Sequence, residues 1–202
     1  MLSFSVKLAQ IQQQKQNRLG LWLAPRLEQL PLSIQRFDEP LLPYGKAVIN
    51  ASRDRVCAYI FDLASYLRLG AAGAIALERT IDFAGGDHIT ILHGGFALPD
   101  LAVVSDENAF GVDALTVVNE ECVDACLMRL DRGVFRLGTP VPDLRENVGH
   151  YDYDERRFEV NTALQGETLS IHCLAEAILQ DNRGDDFAEV IRSQLEQIQN
   201  GG

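Results

Sequence analysis

The stretch VCAYIFDLASYLRLGAAGAIALERTIDFAGGDHITILHGG, residues 56–95, decides the fold. It opens on VCAYIF (56–61), a run rich in β-formers that predicts a buried strand. Residues 64–81 then carry apolar side chains at helical spacing, interrupted near Gly70 and Gly73 and ended by Ala84-Gly85-Gly86. HITIL (88–92) is a second apolar run, closed by Gly94-Gly95. Strand, helix, strand is one βαβ unit, which puts two parallel strands side by side with the helix as crossover.

The same rhythm extends in both directions. Upstream, LGLWL (19–23) predicts a strand closed by Ala24-Pro25, and residues 44–53 predict a helix after the break at Pro40 and Pro43. Downstream, DALTVV (113–118), a helix over 121–130 and GVFRL (133–137) supply the fourth and fifth strands. Residues 139–167 are polar and Pro-punctuated, an irregular excursion with a short strand at 157–160. Two closing helices are expected at 168–180 and 185–198, the second ending in Gly201-Gly202. Five β-then-α units imply an α/β domain on a parallel sheet, either doubly wound or part of a (β/α)₈ barrel. No internal repeat or long linker divides the 202 residues, so one domain over 1–202 is expected.

Charge excludes two classes of partner. Residues 1–99 hold ten basic and eight acidic side chains, whereas residues 100–202 hold eight basic against 21 acidic. An acidic second half repels phosphate backbones and anionic membranes, so neither nucleic acid nor a membrane is expected as partner. No apolar run reaches the ~18 residues of a membrane helix. The first twenty residues lack a secretory pattern, and four cysteines (57, 122, 126, 173) then read as reduced thiols in a cytoplasmic protein. Cys122 and Cys126 lie four apart on one helix face without a second ligand pair, which favours two buried thiols over a zinc site. No metal or cofactor is expected.

Several segments, in order, resemble one family. LEQLPLSIQRFDEP (27–40), KAVINASRDRVCAY (46–59) and GAAGAIALERTIDF (70–83) are similar to the amino-terminal half of orotidine 5′-phosphate decarboxylase, its longer-chain branch above all. FGVDALTVVN (110–119) and LDRGVFRLGTPVPDL (130–144) resemble its fourth and fifth strand regions, with a weaker echo at 168–192. The resemblance implies a (β/α)₈ barrel that dimerises with its active sites at the interface. It implies cofactor-free removal of CO₂ from orotidine monophosphate, with a lysine ammonium protonating the resulting carbanion.

Carried over residue by residue, the resemblance places residues of other chemistry where that reaction needs acids and lysines. Ala24 stands at the family's ribose-holding Asp, with Pro25 on the Pro and Arg26 on its second Asp. Ile60 stands at the lysine after the second strand. His93, Gly95 and Leu98 fall in the stretch that carries the Asp-Ala-Lys-Arg-Gly-Asp-Ile pattern. The chain has three lysines, Lys7, Lys15 and Lys46, and none follows position 46. Segments resembling the family's last two, phosphate-gripping strands are absent before residue 202. The resemblance therefore implies a truncated barrel of about five recognisable strands and a pseudoenzyme that works through protein–protein contact. Trp22, where the family has a small residue, is expected to fill ligand space.

Two other readings stand beside it: an enzyme with altered chemistry on His93 or Asp62, and a small-molecule sensor in a remnant pocket. His93 ends a strand where barrel enzymes keep catalytic groups, and Gly94-Gly95 offers backbone amides to an anion or simply makes a turn. The segment 151–155, acidic and aromatic, reads as a solvated loop or a protein-contact segment. A five-stranded remnant exposes two sheet edges, which predicts a homodimer or an obligate heteromer.

Overall fold

A computed structural model describes residues 2–138, 142–164, 166–174, 177–180 and 183–201. Eight strands close into a barrel in sequential order. They are β1 (Leu19–Leu23), β2 (Ala58–Asp62), β3 (Ile89–Phe96), β4 (Ala114–Val117), β5 (Gly133–Leu137), β6 (Val148–Asp152), β7 (Arg157–Asn161) and β8 (Thr168–Cys173). The helices are α1 (Phe4–Lys15), α2 (Leu41–Ser52), α3 (Leu63–Leu67), α4 (Gly70–Ala84), α5 (Glu120–Leu127), α6 (Ala177–Gln180) and α7 (Phe187–Gly201).

The alternation of each strand sorts its residues into two cores. Ile60, Ile91, Phe135, Tyr151, Phe158 and Ile171 fill the barrel interior. Their neighbours Tyr59, Phe61, Leu92, Leu115 and Val134 face outward and pack beneath Val48 and Ile49 of α2, Leu77 and Ile81 of α4, and Phe187, Ile191 and Leu195 of α7. The five expected strands are all present and parallel to their neighbours. A 3₁₀ segment, Pro99–Ser105, serves in place of a helix between β3 and β4.

Three further strands overturn the expected open edges. β6 runs parallel to β5, β7 antiparallel to both β6 and β8, and β8 returns parallel to β1. Within the stretch expected to be irregular, the short strand expected at 157–160 is present as β7, and 148–152 is a further strand that was not expected. The helix expected over 168–180 is replaced by β8 and the short α6; residues 175 and 176 lie outside the described residues, as does Gly202. The physical reason is the same in each case. Phe158 and Val160, then Leu169, Ile171 and Cys173, point inward at period two. The outward positions are polar, because among the described residues no helix covers the outer face of this hairpin wall and an antiparallel sheet tolerates one solvated face. There Arg157 pairs with Glu159 at 2.9 Å and with Glu155 at 2.6 Å. A closed barrel has no free edge, so the edge argument for a covering partner falls away.

Two devices complete the closure. Gly149 lets β6 and β7 cross closely, since a Cβ there would lie 2.0 Å from the Glu159 carbonyl oxygen. Helix α1 stoppers the N-terminal end of the barrel. Its Phe4, Leu8 and Ile11 are buried against the interior, with the Phe4 ring 5.9 Å from that of Phe135. Its polar groups bind residues that precede the strands: Phe4 N–H donates to the Leu130 carbonyl, Ser5 N–H to Asn147 Oδ1, and Lys7 Nζ to Asp113 at 2.5 Å. The first helical turn thereby reaches the entries to β4, β5 and β6.

Candidate functional site

Barrel chemistry belongs at the C-terminal strand ends, and there the interior is filled by this chain's own rings. Trp22 of β1 lies 4.8 Å from His93 of β3, 5.4 Å from Tyr151 of β6 and 6.2 Å from Phe158 of β7, between ring centroids. Tyr151 in turn contacts Phe158 at 4.4 Å and Tyr153 at 4.8 Å. Such clusters prefer tilted and edge-on geometry and add about 0.5–1.5 kcal/mol per pair beyond their buried area. The indole occupies space at the mouth, as expected of a large residue at position 22.

His93 is held in one orientation. Gly94 N–H and Gly95 N–H both donate to Thr116 Oγ1 at 3.1 Å, which engages both lone pairs of that buried hydroxyl. Its own proton is left to point at His93 Nδ1, 3.2 Å away. Nδ1 therefore accepts, and the neutral ring carries its proton on Nε2. Burial holds the imidazole below its ordinary pKa, while the Asp62 carboxylate pulls in the opposite direction. The glycine amides are spent on Thr116, so they offer no anion cradle. Gly95 adopts φ 56° within a register shift between Leu92 and Phe96, a left-handed position that suits glycine.

Asp62 stands in register with His93 on the adjacent strand. One of its carboxylate oxygens caps α3, accepting from Ser65 N–H at 2.7 Å and Ser65 Oγ at 2.6 Å. Sequence spacing alone could not pair these two residues, because the pairing depends on strand register. The same register brings in Thr116, which no motif signalled.

The remaining positions singled out by resemblance are chemically quiet. Ile60 is fully buried inside the barrel and Leu98 projects into solvent at 63% exposure. Ala24 lines a cavity of about 10 Å³ with Trp22, Gln29 and Tyr44, room for roughly one water. All three lysines are engaged elsewhere. Lys7 binds Asp113, Lys15 donates to the Arg53 carbonyl at 2.8 Å, and Lys46 sits 5.2 Å from the centre of the Phe83 ring. Cys57, Cys122 and Cys126 are buried free thiols, and burial pushes Cys57 up to about 12 and Cys126 up to about 11. Among the described residues no group of side chains is arranged to hold a metal ion, and no helix is long and apolar enough to cross a membrane.

Comparison with known proteins assigns the barrel. No family model matches the chain. An orotidine 5′-phosphate decarboxylase of Thermomicrobium roseum is 37% identical over 145 residues, 67% of this chain and 51% of that protein. Another, of Herpetosiphon aurantiacus, is 33% identical over 129 residues, 59% of this chain and 47% of that protein. Among solved structures, one described as an orotidine-monophosphate-decarboxylase of Toxoplasma gondii superposes with TM-score 0.61 at 22% identity, covering 70% of this chain and 50% of that one. The OMP decarboxylase of Leishmania donovani gives TM-score 0.56 at 18% identity, covering 70% and 56%. The chain spans about half the length of the curated relatives it matches. Segment order, barrel and identity agree, and the chain is a homologue of the orotidine 5′-phosphate decarboxylases over the part it shares with them.

Proposed function

We propose that this protein is a non-catalytic homologue of orotidine 5′-phosphate decarboxylase that keeps the barrel as a scaffold and works through protein–protein contact. One observation carries the reading: Trp22, His93, Tyr151 and Phe158 occupy the mouth where substrate would sit. The charge inventory of the mouth supports it. Loss of CO₂ leaves a ring carbanion that needs a proton donor and a fixed field of charges. Ala24, Ile60, Gly95 and Leu98 supply neither, and the three lysines are bonded at other places.

The test is direct. Purified protein incubated with orotidine monophosphate is expected to form no UMP. Turnover that co-purifies with the chain and disappears on substituting a residue within 88–100 would refute the proposal. Gly95→Lys is expected to leave the protein inactive, because the residues of a catalytic unit act together rather than singly.

The adjacency of Asp62 and His93 favours one second reading, an altered chemistry that pairs this carboxylate with the Nε2–H donor. Under that reading a small molecule changes Trp22 emission in the native chain, and both Asp62→Asn and His93→Gln abolish the change. Emission indifferent to a broad metabolite panel would remove it.

A further inference from the structure

The C-terminal end of the barrel carries an arc of exposed apolar side chains set among unpaired acids. Leu98 follows β3 at 63% exposure, Val118 follows β4 at 50%, and Tyr153 follows β6 at 56%. Leu137 joins them. It lies in register with Tyr151, and a Cβ built on Gly95 would meet Leu137 at 3.3 Å and Val118 at 3.7 Å. Tyr151 then passes the surface on to Tyr153 and Trp22. The result is an apolar strip from Val118 through Leu137 to the Tyr151–Tyr153 pair, with Leu98 exposed on the neighbouring β3 end, larger in character than scattered surface leucines.

Charge decides what fits the strip. Asp100 follows Leu98, Glu121 follows Val118 and Asp154 follows Tyr153, and none of the three has an ion-pair partner among the described residues; Asp152, by contrast, accepts the Asp154 and Glu155 amides and faces Arg157 across the hairpin. The arginines of this arc are already neutralised: Arg136 binds Glu120 and Asp143, and Arg157 binds Glu155 and Glu159. Arg156, between Glu155 and Arg157, is the exception and has no ion pair among the described residues. An apolar centre with an acidic border is complementary to an apolar knob bordered by lysine or arginine.

We propose that this strip is the docking surface of the protein and that its partner is another protein presenting apolar side chains flanked by basic ones. The inference rests on the non-catalytic reading above, since a working active site would need the same mouth open.

The single tryptophan reports on the strip from within. The full chain is titrated with an amphipathic leucine–lysine peptide and, in parallel, with a leucine–glutamate peptide of the same pattern. A saturable change in Trp22 emission is expected with the basic peptide alone, weakening as salt rises. The double variant Leu98→Asp, Val118→Asp is expected to weaken it at least about tenfold, because both contacts lose their apolar area. Met128→Asp, at an exposed site remote from the strip, is expected to leave it unchanged. Both exchanges replace solvent-exposed side chains, and an unaltered melting temperature confirms that the variants fold. Equal response to both peptides, no response, or a response surviving the double variant overturns the proposal. A photo-crosslinking residue at position 98 adds a second arm: adducts formed solely with another copy of this chain also overturn it. UMP formation in the decarboxylase assay would instead refute the non-catalytic reading, so the two failures are distinguishable.

Discussion

Replacing Thr116 by Val removes one hydroxyl and changes three hydrogen bonds at once. In the native barrel that oxygen accepts from Gly94 N–H and Gly95 N–H and donates to His93 Nδ1. The side chain is fully buried and valine is nearly isosteric, so packing is largely preserved. Each such bond contributes about 0.5–1.5 kcal/mol net. Gly94 is exposed and its amide regains water, which leaves about 1–3 kcal/mol of destabilisation. Urea denaturation should show a lower midpoint with an unchanged slope. The sharper readout is the titration of His93, followed by quenching of Trp22 as the neighbouring ring becomes cationic. The hydroxyl donates to the neutral imidazole and so favours it; without that donor the titration midpoint must rise. Thr116→Ser keeps the hydroxyl and should keep the midpoint while losing about 1 kcal/mol for the methyl group. A valine variant that titrates like the native protein would show that Nδ1 does not accept from Thr116. The assigned tautomer would then be wrong.

Other expectations follow from packing and charge. Phe4→Ala empties a fully buried site against Phe135 and should cost about 3–5 kcal/mol, read from thermal or urea unfolding. Gly149→Ala forces a methyl to 2.0 Å from the Glu159 carbonyl oxygen, so the β6–β7 pairing must shift; the variant should lose more than about 3 kcal/mol or fail to accumulate folded. Burial lowers the pKa of both His88 and His93 relative to the unfolded chain. The unfolded chain then binds more protons just below pH 6.5, so stability is complete above that pH and falls as pH drops through each lowered pKa. His93→Gln should flatten part of that fall in a series of urea midpoints, and an unaltered pH profile would contradict it.

How much of this was legible in the sequence depends on which face of each strand water sees. VCAYIF and HITIL are apolar on both faces because helices cover one side and the barrel interior the other, so composition alone marks them as strands. RFEVN and TLSIHC are apolar on one face only; the alternation in RFEVN marks a short strand but no partner for it, and the outward Thr168 and Ser170 let TLSIHC pass for the start of a helix. Leu174 and Ile178 continue the spacing after Ile171, which lends 168–180 a false helical period. Helix α1 hides in the opposite manner, with Phe4, Leu8 and Ile11 diluted by glutamines. At the site, His93 was visible as a strand-end histidine and Trp22 as an oversized residue. Asp62 was visible as a candidate, but its pairing with His93, and the whole role of Thr116, come through the β2–β3–β4 register, which spacing does not encode.

The strands hardest to read are also the ones that fill the mouth of the barrel. β6 and β7 close the wall between β5 and β8, and the same two strands deliver Tyr151 and Phe158 to the mouth. Period two forces this coupling. A residue pair that seals the interior at mid-strand has its next inward neighbours one pleat higher, at the rim. With Trp22 arriving from β1, these rings meet across the barrel and leave the C-terminal end covered from within. The outward residues of the hairpin stay charged and mutually paired, so the uncovered outer wall is soluble without help. Exposed at this end are Leu98, Val118 and Tyr153, with the carboxylates of Asp100, Glu121 and Asp154 beside them. Closure by a hairpin instead of further βα units thus moves the unsatisfied surface of the molecule from sheet edges to the mouth. A contact partner should be sought at the mouth and not along the wall.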